Sequence, residues 1–435
     1  MLHRALQIET LKSVYKNGVQ YITMKKLISV YLMVLVIFFC NLAMADTDDD
    51  LKILSQGINK FSFDLYKKLK EENKEKNLFY SPASISMALA MTYVGARGNT
   101  EKQMAHALNI TIPQDRLHSA YSKLINNLKS SKDYELNIAN ALWLQKDYKY
   151  LQQFLNTIEK YYNSDLKNVD FTKAPREAAK EINMWVFIHT KGKIENIVNP
   201  DEIESNTKLI LTNAIYFKGK WKYEFDKQNT EGRDFHLVNG TTKKVKMMSK
   251  YSSSSMEYGF RFNYFQNDYL QLLEMPYNGD KISMIIVLPL DNSKLKDVEN
   301  MIDEKKLEEW IKESRSRKVT VYLPKFKFSQ GIDLKSFLEN FGIKDMFNIN
   351  ADFSGMTGKK DIYIDKAFHK SFVEVNEEGT EATAVTVIGA KPVSSIPVKE
   401  EIVTFNADHP FIFLIRDKET GSILFMGRVM DPSID

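Results

Sequence analysis

The sequence has 435 residues, of which 43% are hydrophobic and 27% are charged. This composition is typical of a globular protein with a large core and excludes a chain that is disordered throughout. The formal net charge of +4 resides in residues 1–45, and the balanced remainder gives no argument for binding to nucleic acid or an acidic membrane. Cys40 is the only cysteine, so beyond residue 45 the chain can form neither a disulfide nor a thiol or zinc–cysteine site.

The N-terminus has the pattern of a targeting segment. Two lysines precede an apolar run over 27–40, and a small-x-small triplet ends at Ala45. This order predicts a leader over 1–45, a signal peptide cleaved after Ala45, and a secreted, extracellular protein. A membrane anchor is the alternative, but the run is shorter than the roughly 20 residues that a spanning helix needs. Met24 is a candidate start, because the residues before it are unusual ahead of a signal peptide.

Two acceptor sequons agree with secretion. Asn109 begins Asn-Ile-Thr, and Asn239 begins Asn-Gly-Thr. Such triplets are also frequent by chance, so they only support the prediction. We predict N-glycosylation at both asparagines as an accompaniment of secretion.

Apolar periodicity places helices and strands along 46–435. The first helix has apolar residues at steps of three or four from Leu51 to Leu69, and Ser81 followed by Pro82 begins a second. The glycine turn at 95–103 lacks the Lys-Ser/Thr ending that a phosphate loop needs, so it predicts only a turn into a helix. Strands and helices do not alternate regularly and no linker divides them, which predicts one large α+β domain. The other predicted elements are strands at 137–144, 209–217, 282–288, 319–323, 411–415 and 422–426, helices at 115–129, 178–189, 304–313 and 333–341, and a stretch at 362–375.

A small basic group lies near the helix predicted at 115–129. Lys123, Lys129 and Lys132 lie on its outer face or end, so a polyanion site is conceivable. The lysines are few and acidic residues lie close by, which favours an ordinary solvated helix surface.

Catalytic motifs are missing from the sequence. No two of the seven histidines have a metal-ligand spacing such as H-E-x-x-H, and no G-x-S-x-G turn occurs. Neither an enzyme, a metal nor a cofactor is predicted, although dispersed catalytic residues stay an open alternative. His369 lies between apolar neighbours and is predicted to be a buried, hydrogen-bonded histidine. Asn213 lies within an apolar strand and must find hydrogen-bond partners there.

A stretch near the C-terminus, 377–397, combines the properties of a strand and of a loop. Its part from Thr380 to Ile388 contains β-formers and no proline, and period two places uncharged residues on one face with Glu381 on the other. Gly379 precedes it, and a proline-rich, charged segment follows it. From these residues alone, an ordinary edge strand followed by a loop is the favoured interpretation.

Several motifs in fixed order resemble the serpin family, from about Leu51 to the C-terminus. The resemblance implies three β-sheets, about nine helices and an exposed reactive-centre loop at about 377–404. It also implies a serine protease inhibitor, which we expect to be a monomer and, from the leader, to be secreted. The motifs are Asn77 to Ile85, Gly95 to Thr100, Thr212 to Trp221, Leu323 to Phe326, Ala351 to Gly355, His369-Lys370 and Phe405 to Phe411.

The resemblance also implies which residues form the functional regions. A polar cluster beneath the parting strands of the main sheet comprises Ser81, Ser84, Asn213 and His369. The loop enters the sheet beside Trp221, Lys325 and Glu377, with an expected ion pair between Lys325 and Glu377. The residues of the loop hinge are Glu377, Gly379, Thr380, Glu381, Ala382, Thr383, Ala384, Val385 and Thr386.

In the mechanism that the resemblance implies, a protease cleaves the loop and the freed arm inserts into the main sheet. Counting from Glu377 places the cleaved bond between Val393 and Ser394, and a small β-branched residue there suits an elastase-like protease. Counting back from Phe405 disagrees by about four residues, so Ser394 and Ser395 stay alternatives. Inhibition of a cysteine protease and a non-inhibitory carrier or storage role also stay open.

Overall fold

The computed structural model describes residues 48–129, 131–162, 164–252, 260–380 and 401–433. Contacts divide the chain into two units, Met1–Asp50 and Leu51–Asp435. Most of the first unit, including the predicted leader, lies outside the described residues. The second unit holds both sheets and nearly all of the helices.

Ten α-helices occur within the described ranges. One of them, Pro82–Tyr93, begins where the Oγ of Ser81 accepts a hydrogen bond from the Ser84 N–H at 3.2 Å. All of its residues are buried, so it is a central helix and not an amphipathic surface helix. The helices are α1 (48–72), α2 (Pro82–Tyr93), α3 (Gly98–Ala107), α4 (Gln114–Asn127), α5 (Gln152–Tyr162), α6 (Pro175–His189), α7 (Leu295–Met301), α8 (Glu304–Glu313), α9 (Leu334–Asn340) and α10 (Ser354–Thr357).

The strands form two hydrogen-bonded networks, and their bounds in the described residues follow in chain order. They are β1 (Leu78–Tyr80), β2 (Tyr134–Gln145), β3 (Asp165–Val169), β4 (Leu209–Lys220), β5 (Glu231–His236), β6 (Thr242–Lys250), β7 (Arg261–Gln266), β8 (Leu270–Pro276), β9 (Ile282–Pro289), β10 (Arg315–Pro324), β11 (Phe326–Asp333), β12 (Lys366–Asn376), β13 (Gly379–Thr380), β14 (Val403–Asn406), β15 (Phe411–Asp417) and β16 (Ile423–Val429).

The six-stranded sheet has the order β11-β12-β13-β4-β2-β3. Its central strand β4 is antiparallel to β2 and parallel to β12. Residues 209–217 of β4 are all buried, because both faces of the sheet are covered. On one face α6 packs with Ile182 and Val186 among a cluster that includes Trp143 and Phe171. The main core lies elsewhere and includes α2 and the other sheet.

The other network has ten strands: nine follow the order β1-β16-β15-β9-β8-β7-β10-β6-β5, and the tenth, β14, pairs with β10. Strand β10 serves two ladders: its first half pairs with β7 and its second half pairs with β6 and β14. The α+β fold predicted for the chain is confirmed. The expected three sheets are seen as one six-stranded sheet and two ladders that the long strand β10 joins, and helices number ten in the described parts.

Candidate functional site

The candidate site is the seam between β4 and β12 in the six-stranded sheet. The two strands pair in parallel from Ile210 with Lys366 up to Tyr216 with Phe372. Above that point they part, and β13 lies between them. Thr380 of β13 is opposite Val375 of β12 on one side and Gly219 of β4 on the other. At one end of the seam β4 and β12 are therefore paired directly with each other, and at the other end the two residues of β13 lie between them.

A two-residue turn, Glu377–Glu378, connects β12 to β13. The side-chain oxygen of Asn376 accepts hydrogen bonds from the backbone N–H groups of Glu378, at 3.0 Å, and Gly379, at 3.3 Å. Gly379 has a φ of +147°, and a Cβ added there would lie 2.0 Å from the Gly219 carbonyl oxygen. Only glycine fits this turn, because any side chain would collide with the backbone of β4.

The indole of Trp221 holds the same turn. Its Nε1 donates a hydrogen bond to the Asn376 carbonyl oxygen at 3.0 Å, and its backbone N–H donates to the Glu378 carbonyl oxygen at 2.9 Å. The ring is stacked on Tyr277, with centroids 4.5 Å apart. Tyr277 in turn places its hydroxyl 2.8 Å from the Oγ1 of Thr380, and both residues are buried. Burial raises the pKa of Tyr277, so the phenol stays protonated and available as a donor.

Two ion pairs surround the turn. The ammonium of Lys325 lies 2.8 Å from Glu377 Oε2, which is the ion pair expected from the sequence. Thr230 donates a further hydrogen bond to Glu377 Oε1 at 2.8 Å. Burial raises the pKa of the Glu377 carboxyl, but the hydrogen bonds from Lys325 and Thr230 outweigh it, so the pKa is lowered overall. In the second pair the ammonium of Lys227 lies 2.5 Å from Glu378 Oε1, and the Lys227 side chain is exposed to solvent.

Reversing the charge of Lys325 or Glu377 is expected to destabilise the turn. Lys325→Glu and Glu377→Lys should each lower the free energy of unfolding by about 1–3 kcal/mol, because each leaves a half-buried charge beside a like charge. The double reversal should restore much of that loss. The measurement is urea unfolding of the four proteins at pH 7.

The matched control is the exposed pair of Lys222 and Asp280, 2.6 Å apart. Its reversal should change stability by less than about 1 kcal/mol, since both side chains are exposed and solvent screens their charges. Additive losses in the Lys325 and Glu377 double variant would contradict an energetic coupling between them.

Below the turn, a buried polar cluster joins α2 to the strands of the seam. Asn213 of β4 donates hydrogen bonds from its Nδ2 to Ser84 Oγ and Asn140 Oδ1, and its Oδ1 contacts His369 Nδ1. The Nε2 of His369 accepts a hydrogen bond from the backbone N–H of Ser81 at 3.2 Å. The Nδ1 of the imidazole must therefore carry the proton. All four predicted cluster residues are buried, and the cluster links β12, β4 and the start of α2.

The hydrogen bonds of this cluster have a structural role. Burial lowers the pKa of His369 to about 3, so its ring is neutral near pH 7, and both nitrogens are already engaged. In the part of the chain that the structure describes, no serine Oγ hydrogen-bonds to the ring as a nucleophile would, because Ser81 offers the ring only its backbone N–H and donates its Oγ–H to the Leu424 carbonyl oxygen at 2.6 Å. Among the described residues, no group of three or more His, Cys, Asp or Glu side chains could hold a metal ion.

Four further residues complete the two regions, and local sequence patterns do not single them out. Asn140 is opposite Asn213 across the β2–β4 ladder, so only the pairing of distant strands reveals it. Tyr277, Thr230 and Asn376 act through the contacts given above. The signal available in the sequence is weak: Tyr277 and Asn376 lie at or just beyond the end of an apolar segment, Asn140 lies within a strand, and Thr230 lies in a polar stretch.

Much of the predicted loop lies outside the described residues. That holds for the hinge residues after Thr380 and for the predicted cleavage site. These residues are Glu381, Ala382, Thr383, Ala384, Val385, Thr386, Val393 and Ser394. Their assigned roles stay predictions.

The comparisons with known proteins agree with this geometry. The sequence model of the family Serpin (serine protease inhibitor) matches residues 56–432, so the chain belongs to the serpin family. It is 43% identical to leukocyte elastase inhibitor of Xenopus tropicalis, over 87% of this chain and 99% of that protein. It is 40% identical to human Serpin B3, with the same coverage. The structure is similar to human thyroxine-binding globulin complexed with thyroxine, at 30% identity and a TM-score of 0.78, covering 88% of this chain and 100% of that one.

The comparisons contradict one prediction. Leukocyte elastase inhibitor and Serpin B3 are clade B serpins, which are typically intracellular and lack signal peptides. The prediction of a secreted, extracellular protein is therefore wrong. It depended on a short apolar run and a small-residue triplet, patterns of low specificity that lie outside the described residues.

Glycosylation loses its support with that correction, and it stays an untested prediction. Asn109 has a φ of +53° and accepts a hydrogen bond from Lys60 Nζ at 2.8 Å. Asn239 is exposed and accepts hydrogen bonds from Thr241. No helix in the described part of the chain has the length and apolarity to cross a bilayer.

Proposed function

We propose that the protein inhibits a serine protease of elastase-like preference by suicide-substrate trapping. The observation that carries the proposal is β13: two residues that follow β12 already lie between β4 and β12. A longer insertion would continue the same ladder down the seam. Relatives named leukocyte elastase inhibitor support the preference for elastase.

The chemistry begins as ordinary proteolysis. The protease serine attacks the carbonyl carbon of Val393, the peptide bond to Ser394 breaks, and the new amine takes the proton from the protease histidine. The segment ahead of Val393 is then free at one end and joined to the protease as an ester. It inserts between β4 and β12 and carries the protease along before water reaches the ester.

The energy for this step comes from the sheet. About a dozen new ladder hydrogen bonds, at a net 0.5 to 1.5 kcal/mol each, would supply on the order of 10 kcal/mol. Insertion requires small, uncharged side chains facing the core, and the sequence offers Ala382, Ala384 and Thr386 in phase with Thr380. The uncleaved state must be a kinetic trap, since the inserted state is lower in free energy.

The test is to mix the protein separately with elastase and trypsin, run denaturing gels and weigh the released C-terminal peptide. We expect a denaturant-stable complex with elastase and a peptide that begins at Ser394. Val393→Arg is the matched variant, and it should transfer complex formation from elastase to trypsin. A peptide with another first residue would move the cleaved bond without affecting the trapping mechanism.

A non-inhibitory carrier role is the second candidate, because the fold is also that of thyroxine-binding globulin complexed with thyroxine. In that case both proteases would yield a clipped protein and no covalent complex. The same gels therefore separate the two functions.

A further inference from the structure

A serine of β10 lies against two hydrogen-bond donors of one arginine in β7. The Nε of Arg261 donates to the Oγ of Ser316 at 3.1 Å, and its Nη2 donates to the Ser316 carbonyl oxygen at 2.9 Å. Both residues are exposed. An arginine binds two oxygens of a phosphate or a carboxylate with a pair of neighbouring N–H groups of this kind. One edge of the Arg261 guanidinium is therefore already turned toward the Ser316 hydroxyl.

The residues around Ser316 are basic. Arg315 and Arg317 flank it in the sequence, and both are exposed. Period two places these two arginines on one face of β10 and Ser316 with Lys318 on the other. Lys318 is directly opposite Arg261 in the β7–β10 ladder, so two cations share the face of Ser316. A negatively charged group at the Ser316 hydroxyl would lie in a favourable electrostatic environment.

The ladders also place a carboxylate on the face of Ser316. Asn263 of β7 is directly opposite Ser316, and Glu274 of β8 is directly opposite Asn263. The Glu274 carboxylate accepts a hydrogen bond from Asn263 Nδ2 at 2.7 Å and lies 3.4 Å from the ammonium of Lys418. Its charge is therefore balanced by a lysine of its own, and it lies two strands away from Ser316.

We propose that Ser316 is a phosphorylation site and that Arg261 holds its phosphate. In the transfer, Ser316 Oγ attacks the γ-phosphorus of ATP, the bond from that phosphorus to the oxygen kept by ADP breaks, and the hydroxyl proton passes to the catalytic base of the kinase. The kinase is one that recognises basic residues, because exposed arginines flank the serine on both sides. The phosphate adds a charge of about −1.5 to −2 at pH 7 and three acceptor oxygens beside the guanidinium.

The phosphate would fasten β7 to β10. These strands pair over only four residues each, 261–264 with 315–318. Immediately after this stretch, from Val319, β10 pairs with β14. One to three charge-assisted hydrogen bonds from Arg261 would form a reversible link between β7 and the first half of β10. The modification site does not depend on the proposed inhibitory function.

The first test is whether the folded protein accepts phosphate at this serine. The full chain is treated with ATP and the catalytic domain of protein kinase C, and the modified residues are located by mass spectrometry. We expect phosphate on Ser316, and Ser316→Ala should lose that phosphopeptide. Absence of phosphate on Ser316 would reject the modification site.

The second test uses the full chain produced with phosphoserine encoded at position 316, so it does not depend on a kinase. Phosphorus NMR should give a second phosphate pKa of about 5 to 5.5 in place of the usual value of about 6, because the guanidinium favours the dianion. The backbone amides of β7 should exchange about three to ten times more slowly than in the unmodified chain, because the link opposes local opening.

Two arginine variants of the phosphorylated chain separate a specific contact from the general charge. Arg261→Gln should return the phosphate pKa to about 6 and abolish the slower exchange of β7. Arg315→Gln is the matched control: Arg315 is also exposed and adjacent to Ser316, but its Nη1 donates to the carbonyl oxygens of Lys312 and Ser314. This variant should keep the lowered pKa. A phosphate pKa near 6 with Arg261 present, or one equally lowered in Arg261→Gln, would reject the role of Arg261.

Discussion

Under the proposed function, replacing Thr380 by arginine is expected to convert the protein from an inhibitor into a substrate. Thr380 is 1% exposed and lies between β12 and β4, with its hydroxyl against Tyr277. Among the described residues its side chain is hydrogen-bonded to Tyr277 and to no acidic group, so an arginine would bring an unpaired charge into the sheet at a cost of several kcal/mol. Strand β13 could not form, and insertion would have to begin by burying that charge.

The consequence is kinetic. If the barrier to insertion rises by about 3 kcal/mol, the rate of insertion falls on the order of a hundredfold. Hydrolysis of the acyl-enzyme then outruns trapping. We expect Thr380→Arg to be cleaved at the normal rate, with the covalent complex replaced on denaturing gels by clipped protein.

Thr380→Val is the matched control, because it keeps the shape and removes only the hydroxyl. It should lose the hydrogen bond to Tyr277, worth about 0.5–1.5 kcal/mol, and still trap most of the protease. Undiminished complex formation by Thr380→Arg would contradict insertion through β13. Equal failure of both variants would mean that the hydroxyl, and not charge, controls the step.

The sequence predicts best the elements that are buried on both faces. Strand β4 is predicted over 209–217 and runs over Leu209–Lys220, since an unbroken apolar run is its signature. Strand β5, with charged side chains and only Phe235 buried, gives no such run and escapes prediction. Strand β10 begins at Arg315, earlier than predicted, because its exposed first residues are fixed by pairing with β7 and not by burial.

The residues of the candidate site also differ in how well the sequence predicts them. Local pattern alone indicates that Asn213 and His369 are buried polar residues that need partners, and the family resemblance assembles them with Ser81 and Ser84. Asn140 is missed because it meets Asn213 only through the register of β2 with β4. Local pattern does not reveal the position of β13, since a strand of two residues has no periodicity, and only the family resemblance indicates that the loop enters the sheet beside Trp221, Lys325 and Glu377. Its place is set by a glycine that alone fits against β4.

Acid is expected to destabilise the protein through His369. Burial lowers the pKa of this histidine from 6.5 to about 3 in the folded protein. Above pH 6.5 the ring is neutral in both the folded and the unfolded state and has no effect on pH dependence. Between pH 6.5 and about 3 the unfolded chain binds a proton that the folded protein does not. The free energy of unfolding should therefore fall by about 1.4 kcal/mol for each pH unit in that window.

Two variants isolate this contribution in urea unfolding between pH 7.5 and 4.5. His369→Asn keeps a donor near the position of Nδ1 but cannot titrate. The free energy of unfolding of this variant should therefore fall less steeply with pH than that of the unaltered chain, and the difference between the two slopes should be that of one proton, about 1.4 kcal/mol per pH unit. His106→Asn changes an exposed histidine of α3 and should leave the slope nearly unaltered. His118 adds a parallel contribution in all three proteins, because burial lowers its pKa to about 4.

Protonation of His369 would also affect the seam between β4 and β12. A proton on Nε2 of His369 would remove the acceptor for the Ser81 N–H and place a charge beside Asn213, in the middle of the β4–β12 ladder. Acid should therefore loosen the strands that insertion has to part before it unfolds the rest. Hydrogen exchange at pH 7 and pH 5, with each rate corrected for the pH dependence of intrinsic exchange, should show lower protection at pH 5 for the amides of β4 near Asn213 while β9 and β15 keep their protection. An equal loss of protection in all of these strands would place the acid-sensitive group elsewhere.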